Sequence, residues 1–89
     1  MGTVTMRYWA AAKDAAGVSE QRVAADTLAE ALVAALTAAS GTGDSAALRG
    51  VLARCSFLVD GSPVGRRSPE TVQLGNEDVV EVLPPFAGG

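Results

Sequence analysis

The residues best suited to chemistry in this chain are its last ones. The sequence closes Leu83-Pro84-Pro85-Phe86-Ala87-Gly88-Gly89, with no charged side chain after Glu81. Glycine lets another backbone approach closely, so a Gly88-Gly89 end can thread a narrow site and present the Gly89 α-carboxylate for reaction. Proline cannot donate to a β ladder, and Pro84-Pro85 should therefore end the strand-like run Val79 to Leu83 cleanly. The pair also biases the next residues toward extended geometry. Residues 84–89 read as an arm that spans at most about 20 Å, carried on a domain over 1–83. Phe86 lies beyond the last strand with little core left to join. Aromatics are enriched at interfaces, so Phe86 is expected to contact a partner, with Ala87 and Gly88 beside it.

The rest of the chain offers little chemistry of its own. It has no His, one Cys and no GxxxxGK[ST] phosphate loop; Gly41-Thr42-Gly43-Asp44 is only turn-like. No metal site is expected from one thiol without imidazoles. A carboxylate is a poor electrophile, so activation of Gly89 requires a partner that binds ATP. The chain reads as a carrier or binding module, not an enzyme on its own.

Seven Lys and Arg against ten Asp and Glu give a net charge of −3 without a basic cluster, which argues against nucleic acid. No apolar run is long enough to cross a bilayer or to serve as a signal peptide, and Met6 spoils the myristoylation pattern after Met1-Gly2. The lone Cys55 cannot form an internal disulfide, so a reducing compartment, the cytoplasm, is expected. Cys55 has only Arg54 nearby as an activating cation and reads as a buried or half-buried structural thiol. Arg66-Arg67 reads as a solvated turn, with an ion pair to a partner as the functional alternative. Trp9 belongs to the core or its rim.

These candidates need a scaffold. Thr3 to Trp9 alternates Val4, Met6 and Tyr8 with more polar neighbours, the pattern of a half-buried first strand. Ala10 to Ala16 is helix-capable and Gly17 ends it. Ser19 to Ala24 forms a second strand in a loose hairpin with the first. Thr27 with Glu30 three residues on makes a capping box that opens the main helix. Leu28, Leu32, Ala35 and Leu36 share one stripe of that helix, and Gly41 is expected to close it. Beyond a loop at 41–44, Ser45 to Arg54 forms a shorter helix with Leu48, Val51 and Leu52 inward. Phe57 to Val59 is a third strand, Asp60-Gly61 a hairpin turn, and Pro63-Val64 a very short return strand. Gly75 to Asp78 turns into Val79–Leu83, which is apolar on both faces and so reads as a central strand. The expected core is Val4, Met6, Tyr8, Leu28, Leu32, Leu36, Leu58, Val80 and Val82. The order predicts an α+β fold with a mixed sheet of four to five strands packed on one main helix.

That order, closed by Leu-Pro-Pro-Phe-Ala-Gly-Gly, resembles the β-grasp or ubiquitin-like fold. More narrowly it resembles the sulfur-carrier family that includes the small subunit of molybdopterin synthase and the thiazole-pathway sulfur carrier. The resemblance rests on Met6-Arg7-Tyr8-Trp9-Ala10, Thr27-Leu28, Val59-Asp60-Gly61 and above all the tail, whose Pro-Pro-Phe is nearest the molybdopterin-synthase branch. It implies an E1-like enzyme that adenylates Gly89 with ATP, a persulfide that leaves a thiocarboxylate there, and a synthase large subunit that receives the tail. Gly89 would then react, Gly88 would give it room, and Phe86 would anchor the tail at the mouth of the partner's channel. Sulfur delivery to thiazole or cysteine stays open at this point. So does a ubiquitin-like modifier, although Lys13 as the only lysine disfavours chains of modifiers. A plain interaction domain is the third alternative.

Overall fold

Alternation of apolar and polar residues has the expected result in the first strand. The computed structural model describes residues 2–85. In it β1 (Thr3–Tyr8) buries Val4, Met6 and Tyr8 and turns Thr3, Thr5 and Arg7 the other way. The chain then runs α1 (Ala10–Ala16), β2 (Glu20–Ala24), α2 (Leu28–Thr42), α3 (Ser45–Leu52), β3 (Ser56–Val59), β4 (Ser62–Pro63), a single 3₁₀ turn at Pro69–Thr71, and β5 (Val79–Leu83). The five strands form one sheet in the order β2-β1-β5-β3-β4. β1 and β5 run parallel and every other pair antiparallel. This mixed sheet with its parallel central pair and helices on one face is the β-grasp arrangement, and β5 is the central strand that its two apolar faces predict.

Turn and cap chemistry decides the connections. Asp60 (φ 48°) and Gly61 (φ 85°) both lie in the left-handed region, between the paired Val59 and Ser62. Two such residues make the tight hairpin turn whose twist suits a β ribbon. Asp60 also ties that turn to β5: its N–H donates to the Val79 carbonyl at 2.9 Å, and its Oδ1 accepts from Val79 N–H at 2.8 Å. At the start of α2, Thr27 Oγ1 accepts from Glu30 N–H at 3.2 Å. Glu30 Oε1 reaches one residue further back than a standard capping box, to Asp26 N–H at 2.7 Å. Leu28 N–H is satisfied by the Val72 carbonyl at 3.0 Å.

Helix α2 runs past Gly41, correcting the expected boundary. Thr42 is its last residue and Gly43 its cap. Thr42 Oγ1 donates to the Ala16 carbonyl at 2.7 Å, and Asp44 N–H donates to the Ala15 carbonyl at 2.8 Å. These bonds to α1 hold the extra turn where glycine propensity alone would end it. Asp44 then caps α3, its Oδ1 accepting from Ala47 N–H at 3.0 Å. That helix ends at Leu52, two residues earlier than expected.

The core also differs from the expected set in an instructive way. Leu28, Ala31, Ala35 and Ala39 form the fully buried stripe of α2, whereas Leu32 and Leu36 are half-buried beside it. Alanine on the inner face brings the helix close to the sheet, and the leucines fill the flanks. Leu58 leaves the expected core altogether. Phe57 and Val59 pack toward the helices, so the alternation of a strand sends Leu58 to the opposite face. Val64, Val72 and Leu74 join the core instead. They come from the irregular segment between β4 and β5, which has no hydrophobic period to mark it.

Candidate functional site

The site is built around the place where the chain leaves the sheet. β5 is bonded along both edges: Val79–Val82 pair with Thr5–Tyr8, and Val80–Leu83 pair with Ser56–Val59. Its last partner is Ser56, opposite Leu83. On the other side Trp9 N–H donates to the Val82 carbonyl at 3.2 Å. The segment after Leu83 is therefore rooted between the end of β1 and the start of β3, on a strand bonded along both edges. Pro84 is half-buried and Pro85 exposed. The four residues singled out for reaction and partner contact, Phe86, Ala87, Gly88 and Gly89, lie outside the described residues.

A cleft of about 370 Å³ opens on the β3 side of this root, floored by Leu28 and Leu52 and bordered by Cys55, Phe57, Val64 and Arg67. Cys55 is half-buried there. Burial pushes its thiol up to about 11, with nearby Arg54 opposing weakly. It is a neutral thiol at neutral pH and a poor nucleophile, in keeping with the structural role expected for it. Arg66 and Arg67 separate in role. Both are exposed, but Arg67 donates from Nε to the Val64 carbonyl at 3.0 Å and from Nη2 to the Pro63 carbonyl at 3.2 Å. Arg67 thus braces the β4 segment.

On the β1 side a hollow of about 240 Å³ is lined by Arg7, Tyr8, Trp9, Lys13 and Glu20. Arg7 Nε pairs with Glu20 Oε2 at 3.1 Å. Tyr8 is buried, and desolvation raises its hydroxyl to about 12. Trp9 is 46% exposed and is not among the residues packed on the core, so the core or rim position expected for it is corrected to a surface one. Ala10, next in the chain, has φ 50°. A non-glycine residue in that region costs of order 1–3 kcal/mol, so the turn from β1 into α1 is strained beside the root.

The sheet face away from the helices continues from the same place. Arg7, Glu81, Leu58 and Pro63 stand in one row across four strands. Leu83 and Val79 lie on the same face as Glu81, since strand side chains alternate. None of this was visible in sequence, because the row joins residues up to 74 positions apart. The one available signal was the Asp60-Gly61 turn, which fixes Leu58 opposite Pro63. Among the described residues, no group of three or more His, Cys, Asp or Glu could hold a metal ion, and no helix is long and apolar enough to cross a membrane.

A family model described as the ThiS family matches residues 6–89. The chain belongs to the ThiS family. The expected ubiquitin-like sulfur-carrier kinship is therefore the one found, and it extends through the Gly-Gly motif. No curated protein matches this ThiS-family chain by sequence. Solved structures do match it over nearly full length. SAMP1 from Haloferax volcanii has 21% identity over 99% of this chain and 100% of its own, with a TM-score of 0.78. The small archaeal modifier protein 1 of Methanosarcina acetivorans has 19% identity over 100% and 98%, with a TM-score of 0.73. A chain in the complex of subunits 1 and 2 of the molybdopterin-converting factor from Helicobacter pylori has 23% identity over 98% and 99%, with a TM-score of 0.66. At these identities the likeness shows the fold.

Proposed function

We propose that this ThiS-family chain is a sulfur carrier that works as the small subunit of a molybdopterin synthase, with Gly89 as the residue that bears the sulfur. In the first step a Gly89 carboxylate oxygen attacks the α-phosphorus of ATP on an E1-like partner, and pyrophosphate leaves. A persulfide sulfur then attacks the acyl carbon, AMP departs, and an acyl disulfide forms. A thiol that attacks the donor's sulfur in that disulfide frees the thiocarboxylate. The large subunit receives the tail, and the sulfur passes to a pterin precursor to build its dithiolene. This chain supplies the reactive end and its positioning, and the partners supply ATP binding and catalysis.

The observation that carries the reading is the family match through Gly89, on a segment rooted in the central strand at Leu83. The open sheet face with Leu58 and Glu81 offers a docking surface continuous with that root. The neighbour in the Helicobacter pylori complex assembles with a second subunit of a molybdopterin-converting factor, which favours a large-subunit partner here. Intact mass of the protein purified from its native host tests the proposal. A species heavier by the exchange of one oxygen for sulfur supports it, and a carboxylate that stays unmodified with its E1-like partner, ATP and a persulfide donor refutes it.

A second reading is favoured by the likeness to the small archaeal modifier proteins. In that case Gly89 would be joined to lysine amines of other proteins. Isopeptide adducts in the same mass analysis distinguish it. Sulfur delivery to thiazole or cysteine would give the same thiocarboxylate but no molybdopterin with the large subunit.

A further inference from the structure

Strand charges on the open sheet face are paired, except on β5. Side chains alternate along a strand, so Glu20 and Arg22 of β2, Arg7 of β1 and Glu81 of β5 share that face. Arg7 Nε pairs with Glu20 Oε2 at 3.1 Å, and Arg22 Nη2 pairs with Glu77 Oε1 at 2.9 Å. Glu81 stands beside Arg7 in register, yet its carboxylate has no hydrogen-bond or ion-pair partner among the described residues. Arg7 thus lies between two carboxylates and bonds one of them. The row Glu20-Arg7-Glu81 keeps one negative charge in excess, and it sits on Glu81.

Its surroundings give that charge weight. Glu81 is half-buried, with Val79 and Leu83 on either side along β5 and Leu58 across from it on β3, all three half-buried as well. Thr5 and Ser56, opposite Val79 and Leu83, supply hydroxyls, but neither bonds the carboxylate. Water solvates Glu81 in the isolated chain. A protein that covers Leu58, Val79 and Leu83 strips this water away, and a buried carboxylate without a cation is costly. Leu83 directly precedes Pro84, so the patch is continuous with the root of the tail.

We propose that Glu81 determines partner specificity: the protein that takes the tail presents an apolar surface with one Lys or Arg opposite Glu81. The inference rests on the sulfur-carrier reading, in which that protein is the synthase large subunit. A matching cation completes a charge-assisted pair inside an apolar ring. A wrong partner without it leaves Glu81 covered and unpaired. Glu81 therefore selects by exclusion as much as by attraction. Glu20 and Glu77 do not serve in this way, because an arginine of the same face already holds each of them.

Calorimetric titration of the full chain with the synthase large subunit tests the assignment. Glu81→Gln keeps the shape and removes the charge, leaving the partner's cation unpaired. It is expected to raise the Kd at least about tenfold, and Glu81→Arg to raise it further. The melting temperature of Glu81→Gln should match the wild type, since no bond within the chain is lost. Glu70, exposed on the 3₁₀ turn at Pro69–Thr71, gives the control. Glu70→Gln changes net charge equally and should leave the Kd unchanged. A Glu81→Gln variant that binds as tightly as the wild type, or more tightly, overturns the proposal and leaves the carrier reading standing. An equal loss in Glu70→Gln reduces the effect to net charge and overturns it too. A wild type that does not bind the large subunit refutes the synthase reading, and the proposal with it.

Discussion

Gly43 is backed onto Ala15 and Ala16 so closely that a Cβ at position 43 would overlap the Ala15 carbonyl oxygen. Two positions earlier, a Cβ on Gly41 would meet nothing within 4 Å. Neighbouring glycines in one helix terminus thus have opposite reasons for being there. Gly43→Ala is expected to destabilise the fold by about 1–3 kcal/mol through forced backbone shifts. Gly41→Ala is expected to stabilise it by about 0.5–1 kcal/mol, because alanine loses less backbone entropy in a helix. Urea denaturation of the two variants checks both signs.

Core truncation should follow burial, not leucine spacing. Leu28 and Leu48 are fully buried, so Leu28→Ala and Leu48→Ala should each cost about 2–5 kcal/mol. Leu32 is half-buried at the flank of α2, and Leu32→Ala should cost clearly less than either. Equal losses in equilibrium denaturation at positions 28 and 32 would contradict this packing.

Alkaline pH should weaken the fold through Cys55 and Tyr8. Burial raises the Cys55 thiol from 9.0 to about 11 and the Tyr8 hydroxyl from 10.0 to about 12. The folded state thus holds both protons more tightly than the unfolded chain does. A group with a raised folded pKa contributes stability below its unfolded value, and that contribution is lost as pH rises through the folded value. Stability should therefore begin to fall above about pH 9 and continue falling through about pH 12. Cys55→Ser should delay the onset toward pH 10, where Tyr8 begins to contribute. Melting temperatures across this range provide the measurement.

The reactive arm should be separable from the body. Deleting Gly89 is expected to abolish ATP–pyrophosphate exchange with the activating enzyme while leaving the melting temperature unchanged, since the described core ends at Val82. Exchange that survives the deletion would refute the sulfur-carrier reading.

Anchor and reactive end should also separate from each other. Phe86→Ala should weaken docking to the large subunit at least about tenfold, as truncation of an aromatic hot spot does. Gly88→Val should still allow docking but slow sulfur transfer by roughly a hundredfold, the cost of misplacing a reacting group by about 1 Å. Affinity and single-turnover transfer rate, measured side by side, distinguish the two roles.

The sequence by itself determined the elements with strong local chemistry and the end of the chain where reaction is proposed. The period of two in Thr3–Tyr8, the capping box at Thr27 and Glu30, the Asp60-Gly61 turn and the two-sided apolar run Val79–Leu83 each act over a few residues. Tertiary structure decided what depends on distant neighbours. The bonds from Thr42 and Asp44 to α1 carry α2 beyond Gly41. The close approach of α2 to the sheet makes its alanines, not Leu32 and Leu36, the buried stripe. Register against Val80 and Glu81 sends Leu58 to the open face. Val72 and Leu74 reach the core because the strap between β4 and β5 bonds to the start of α2, where Leu28 and Leu74 donate to the Val72 and Asp26 carbonyls, whereas Val64 is held against β3 by its N–H bond to the Phe57 carbonyl. Local pattern fixes which way a side chain alternates, but only the packed sheet and helices determine which side is inside.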